Sequence, residues 1–562
     1  MTIAIRVSTV VAALTVVLAA VGQPADEVLF RDAFSDGMRN WRVQGEGFKA
    51  SVIKGENNEG GMARLDNSAG TKQAYLGFKA GPPDTWLVLS FAAKSGVPTG
   101  TKVGIHRYRG PIKWVGIGDE WQRVSGTLRS HATVPNWYIV VPPGAVVCVD
   151  TVELRPLVMD EAAKAERRRT YRAAREQAAL IAYRALDRAN PARGSSVHVD
   201  GEFPVGFYIT RPSGGRGLSL EEIFREHGAA KVNVEHNSDF EDWPEHTKRY
   251  DELNSNATAA AYIGKAQKHG IGSLIGFDRM MVLKGNVAGI QERVKALKDT
   301  PGLFGWYLLD EPTVQGTNAE TMQRAYRAVK ELDPDHPVVA TLCAPDRMGE
   351  FAPSTDVLLV DRYPVSLEPL FTVAIHVETA LAVTGGKKAV WGAIQLTCQD
   401  THRLKRGGEA GLMVSVPRLP TVREIRCMTY LAIAHGASGI LFYAYDGMGD
   451  GRAFDDPKRY RGILGLTREI HGLGPLLGGD CLRKGTVPGQ NGVLVSYIVR
   501  GRDRDRAVLV ATNAFDRPSG PVEIPTPDGR VLRATLQPHD VLIKRWGDDV
   551  PAKKRRRDGG EQ

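Results

Sequence analysis

At 562 residues, 42% hydrophobic and 24% charged, the chain has the composition of a folded protein and too much length for one ordinary core, so two to four domains are expected. Its net charge of +9 is concentrated in five consecutive bases, Lys553 to Arg557, and in five arginines between Arg167 and Arg175. Neither run is interleaved with aromatics as a nucleic-acid platform requires, so no nucleic-acid partner is expected.

The opening segment, 1–22, reads as an export signal: one base in "MTIAIR", the apolar run "VSTVVAALTVVLAAV", and small residues at Ala20 and Gly22. The run is short for a membrane anchor, and no later segment reaches spanning length. The expected location is therefore extracellular or periplasmic, with no integral membrane span. Five scattered cysteines form no CxxC pair, and neither a disulfide framework nor a metal cluster is expected.

From 27 to 157 short alternating runs such as "TWLVLSFAAKS", "NWYIVVP" and "AVVCVDTVELRP" are punctuated by Gly, Pro, Asn and Asp, the pattern of an antiparallel sandwich. Trp114 and Trp137 there suit either stacking on sugar rings or filling the sandwich core. Residues 158–200, rich in Ala, Arg and Glu, predict a long helical linker.

Across 201–480 strands and helices alternate. "PVGFYIT", "AKVNVEH", "GSLIGF", "GLFGWYLLDE", "PVVATL", "DVLLVDRYP", "KAVWGAIQ" and "GILFYAYD" are continuous apolar runs, as parallel strands covered on both faces demand. Ser219/Glu222, Thr317/Glu320 and Thr421/Glu424 have capping-box spacing, and Gly228, Gly270 and Gly436 stand where helices should end left-handed. Eight such units predict a (β/α)8 TIM barrel. From 484 to 547 β texture returns, with a hairpin signal at Asp528-Gly529, predicting a small C-terminal β-sandwich before a basic tail, 548–562. The fold class is thus multidomain: jelly-roll-like all-β sandwich, central (β/α)8 barrel, small β-sandwich.

In such barrels chemistry sits where strands end. The strand ends here hold Asn237, Asp278, the pair Asp310 and Glu311, Asp361, Gln395 and Asp446. Tyr208, Trp306, Tyr363, Trp391, Tyr443 and Tyr445 are assigned to the same rim. Carboxylates ringed by aromatics suit sugars, whose ring faces stack while their hydroxyls bond acids and amides. Period two puts Glu311 and Asp310 on opposite faces of strand four, so a strand regular through Glu311 turns only one acid to the axis; Pro312 marks where that regularity must yield, and Asp310 then either rotates toward the site or braces the loop.

"GWYLLDEP" resembles the fourth-strand motif of clan A glycoside hydrolases, with "VDRYP" and "KAVWGAIQ" in support across the barrel. "LFRDAFSDGMRNW" and "VVCVDTVELRP" resemble jelly-roll carbohydrate-binding modules. The clan resemblance implies a glycosidase acting on an oligo- or polysaccharide, with Glu311 as acid/base; no cofactor or metal is expected. Asp310, Asp361 or Asp446 is then the assisting carboxylate, and Tyr208, Asn237, Trp306, Tyr363, Trp391, Gln395, Tyr443 and Asp446 bind substrate. Two departures stand out. Asp310 replaces the clan's usual Asn, and "VWGAIQ" lacks the nucleophilic Glu that ends strand seven. The Asp-Glu pair is similar to that of substrate-assisted hexosaminidases, which need no enzyme nucleophile. A catalytically inactive carbohydrate-binding barrel is the alternative. Other candidates are the acidic loop with His236 and His246, as a metal or substrate loop, and the insert after strand seven, with Arg418 reaching the rim.

Overall fold

The structure, a computed structural model, describes residues 30–32, 41–46, 48–54, 61–79, 86–96, 101–107, 112–129, 136–156, 161–189, 202–209, 218–238, 255–366, 368–398, 418–445 and 456–547. The expected export segment, His246 with most of its acidic loop, the insert preceding Arg418, Asp446 and the basic tail lie outside these residues. The chain divides into two compact units, one with the N-terminal strands and one with the barrel and C-terminal strands.

In the first unit two antiparallel sheets are built from short alternating strands. One orders Lys49–Lys54, Gly61–Asp66, Val146–Pro156, Trp86–Ser95 and Gln122–Arg129, with Phe30–Asp32 paired to Val146–Pro156. The other orders Arg42–Gln44, Ala74–Lys79, Asn136–Val141, Thr101–Arg107 and Lys113–Ile117. Alternation sends Leu76, Phe78, Val103, Ile105, Trp137 and Ile139 into one apolar core shared with Leu87, Leu89 and Phe91 of the first sheet. Trp137 is fully buried there and is a core residue, not a sugar platform.

The Ala/Arg/Glu-rich stretch forms one helix, Glu161–Ala189. Beyond it eight parallel strands close a barrel: β1 Val205–Ile209, β2 Val234–Asn237, β3 Gly272–Gly276, β4 Leu303–Tyr307, β5 Val338–Leu342, β6 Val357–Asp361, β7 Ala389–Gln395 and β8 Gly439–Tyr443. Each strand carries two apolar faces. Tyr208, Val234, Leu274, Tyr307, Val339, Val357, Leu359, Trp391 and Leu441 fill the interior, while their neighbours pack on the surrounding helices. Among the described residues no helix is long and apolar enough to cross a membrane, and no cysteine is bridged.

Local signals mostly act as their chemistry requires. Ser219/Glu222 and Thr421/Glu424 form complete capping boxes. Thr317/Glu320 does not: left-handed Gly316 (φ 76°) closes the preceding turn, and Asn318 caps the helix by accepting from Thr321 N at 2.8 Å. Gly270 and Gly436 are left-handed as expected (φ 75° and 107°). Gly228 instead lies inside its helix, Leu220–Ala229, where a Cβ would sit 2.6 Å from the His269 carbonyl oxygen.

After the barrel, Asp480–Pro488, Leu494–Gly501, Ala507–Asn513 and Val541–Trp546 form a four-stranded sheet, and Pro521–Pro525 pairs with Val531–Thr535 around Gly529 (φ 82°). These strands share one continuous apolar core with the barrel helices: Val495, Val508 and Val510 belong with Cys427, Leu431 and Ile470. At this seam Glu378 Oε1 meets His435 Nδ1 and Lys484 Nζ, each at 2.8 Å, while His435 Nε2 lies 2.9 Å from the Tyr183 hydroxyl and 3.0 Å from Ser496 Oγ. One buried polar network thus joins the long helix, two barrel helices and the C-terminal sheet.

Candidate active site

The inward series of each strand continues to the barrel's carboxyl mouth and decides which side chains line it. Val357 and Leu359 put Asp361 on the axis side of β6; Val339 puts Thr341 and Cys343 there on β5; Leu441 puts Tyr443 there on β8. On β2, Val234 selects His236, so Asn237 follows the outward register opposite Ile209. His236, which the sequence associated with the acidic loop, stacks on Tyr307 at 3.8 Å inside the barrel.

β4 ends at Tyr307, yet its chain stays tied to β5. Leu308 N bonds Val339 O at 2.8 Å, Thr341 N bonds Leu309 O at 3.3 Å and Glu311 N bonds Thr341 O at 3.2 Å. Glu311 then adopts φ 44°, ψ 64°, a left-handed conformation that costs a non-glycine residue about 1–2 kcal/mol, and Pro312 opens a short helix. This break in alternation brings both acids into one field. Asp310 Oδ1 accepts from the Tyr307 hydroxyl at 3.0 Å. A carboxylate oxygen of Glu311, one of Asp361 and the Cys343 sulfur all lie within 4.8 Å of one another. Asp361 is 5% exposed, and burial first, then the charges of Glu311 and Asp310, push its carboxyl well above the usual range. The strand does not stay regular through Glu311, so the condition under which only one acid would turn to the axis is not met.

Aromatics flank the acids. Tyr363 and Tyr443 stack at 5.1 Å with 14° between planes, and Tyr208 meets Tyr443 edge-on at 5.1 Å. Burial, followed by the Asp361 charge, raises the Tyr363 phenol well above its ordinary value, so it stays a neutral donor.

Several other predicted residues are engaged elsewhere. Trp306 faces outward, donating its indole N–H to Asp333 Oδ2 at 2.8 Å and stacking on Phe277. Trp391 fills the barrel interior near the start of β7, against Phe304 and beside Gly439, where a Cβ would sit 2.6 Å from its indole nitrogen. Neither reaches the mouth. Gln395 is buried with its amide on main chain, at Val365 N, Val365 O and Thr397 O. Arg418 grips Glu424 with both guanidinium nitrogens, at 2.8 and 2.6 Å. Asp278 caps the following helix at Met281 N, and Tyr445 packs on Phe207 and His227 behind β1. Cys343 was missed because strand five's end was not read, although "TLCAPD" places it one residue past that strand; the inward series would have found it.

A second surface belongs to the N-terminal unit. On the five-stranded sheet, the face turned away from the core carries Tyr75, Tyr138 and His106 with ring centroids 5.5–5.9 Å apart. Trp114 shares that face opposite Gly104, with Lys102 Nζ 4.7 Å from its ring. All four rings are partly exposed. Gly77 leaves Tyr138 uncovered, since a Cβ there would sit 2.7 Å from its ring.

No protein-family model and no curated protein matches the chain. Among solved structures it is similar to an α-amylase from Geobacillus thermoleovorans, with 12% identity over 62% of this chain and 98% of that one, at a TM-score of 0.41. A Nostoc punctiforme debranching enzyme gives 12% identity over 62% and 99%, at 0.42. A Clostridium thermocellum xylanase comprising CBM22-1 and GH10 modules gives 9% over 75% and 91%, at 0.29. Likeness this distant says nothing about substrate or activity here.

Proposed function

We propose that the chain is an exported glycoside hydrolase in which Glu311 protonates the departing glycosidic oxygen. The observation that carries this reading is the convergence of Asp310, Glu311 and Asp361 at the barrel mouth, beside the stacked pair Tyr363–Tyr443. Asp361, buried beside Glu311 with its carboxyl held well above the usual range, first by burial and then by the charges of Glu311 and Asp310, gives Glu311 a close carboxyl neighbour at the mouth. The half-buried rings of Tyr363 and Tyr443 pack against a sugar ring while the acids bond its hydroxyls.

No carboxylate occurs between Lys387 and Gln399, and Gln395 cannot form a glycosyl ester. Attack by the substrate's own 2-acetamido group removes the need for one. Asp310, braced by Tyr307, then orients that group. A second reading has its own support. The contact between Glu311 and Asp361 is shorter than the about 6.5–9.5 Å that admits an attacking water, so a two-carboxylate reaction through Asp361 would retain configuration. The test is hydrolysis of matched aryl glycosides with and without a 2-acetamido group. Turnover confined to the acetamido series, with inhibition by the derived thiazoline, supports substrate assistance. Turnover of plain glycosides with retention supports Asp361, and glycan binding without any cleavage overturns both.

A further inference from the structure

We propose that Glu311, Cys343 and Asp361 form a binding site for a thiophilic divalent cation of the zinc class. Three side chains from three successive strand ends, β4, β5 and β6, present one sulfur and two carboxylate oxygens within 4.8 Å of one another. Tetrahedral zinc holds sulfur at about 2.3 Å and oxygen at about 2.0–2.2 Å, which sets ligand atoms roughly 3.4–3.6 Å apart. Small side-chain rotations at the three strand ends bring the observed triangle to that size.

A second observation points to an occupant. Asp361 Oδ1 is buried without a hydrogen-bond partner among the described residues, in a residue 5% exposed whose carboxyl group has an oxygen in the triangle with Glu311 and Cys343. An orphaned buried carboxylate oxygen is costly and a cation is its natural partner. The sulfur decides the class, because magnesium and calcium take oxygen shells whereas thiolate selects soft ions. Thr313 Oγ1, 3.6 Å from the sulfur, is placed to support a thiolate from behind.

This inference does not rest on the glycosidase reading and competes with it for Glu311, since a carboxylate bound to a cation donates no proton; its readout is bound metal, so its failure is separate from that of the glycosidase reading. The full chain, stripped of metal, is titrated with zinc against a chromophoric chelator and separately with cadmium. Expected are one zinc per chain, a cadmium–thiolate absorption band, and in Cys343→Ser the loss of that band with zinc affinity at least tenfold weaker, on the scale of the about 10–100-fold that even supporting residues contribute. Should Cys343→Ser fail to fold, Asp361→Asn carries the test: it keeps the band and loses affinity. Absence of saturable zinc binding, or affinity unchanged in both variants, overturns the proposal.

Discussion

Gln395 reaches from β7 to clasp Val365, accepting from its N–H at 2.9 Å and donating to its carbonyl at 2.7 Å. Its other amide hydrogen goes to Thr397 O at 3.0 Å. A carboxylate has no hydrogens for these carbonyls. Gln395→Glu is therefore expected to cost about 1–3 kcal/mol per unpaired buried group and to add no turnover. Urea denaturation and kinetics together check this; unchanged stability would contradict the clasp.

Glu311→Gln keeps shape and removes the transferable proton. Turnover should fall by about 10²–10⁴-fold with KM little changed, because the lost interaction belongs to the transition state. An undiminished rate removes Glu311 from the chemistry.

Asp361 gives a pH signature. Its folded pKa lies above the ordinary 3.8, so the folded state keeps a proton that the unfolded chain releases. Stability therefore declines as pH rises from 3.8 through the folded value. Asp361→Asn removes that penalty and should stabilise at pH 7 by about 0.5–2 kcal/mol while lowering turnover, as substitutions at strained active sites do. The stabilisation should vanish in acid, which denaturation at several pH values reads directly.

Glu378 behaves oppositely. Burial pushes its carboxyl up, but His435 and Lys484 outweigh burial and hold it below its ordinary 4.5. Its contribution is complete above pH 4.5 and is lost as pH falls through the lowered folded value. Glu378→Gln leaves Lys484 buried without its counter-charge, at about 3–5 kcal/mol near neutrality and less in acid. A variant as stable as the parent at pH 7 would show the network to be dispensable.

On the N-terminal sheet, Tyr138→Ala or Trp114→Ala should weaken binding to insoluble glycans about tenfold, one contact of about 1.4 kcal/mol, without altering hydrolysis of small aryl glycosides. Pull-down isotherms check this, and equal retention by both variants would count against the aromatic face.

The barrel was legible because eight apolar runs of strand length, bounded by capping boxes and glycines, leave few other ways to cover both faces of a sheet. Glu311 and Asp361 were legible for the same reason, as polar residues at the ends of such runs. The tryptophans misled. Trp306 and Trp391 are aromatic and near the motif, but register sends one outward and the other deep inside, and register emerges only once Tyr307 and Leu359 are known to face the axis. The joint field of Asp310 and Glu311 was half legible: Pro312 marks where alternation must yield, but the left-handed backbone at Glu311 that decides the outcome is not encoded in any local pattern. The Gln395 clasp depends on a loop conformation that no local pattern encodes.

The continuity of apolar packing from the barrel helices into the C-terminal strands has a practical corollary. Cutting the chain after the helix Pro457–Leu477 would strip the cover from Cys427 and Leu431 and leave Glu378 and His435 at an open seam. The last strands are thus the outer wall of the barrel unit. A shortened version should be expected to aggregate, whereas a fragment that starts at the long helix and keeps those strands retains the whole of this core.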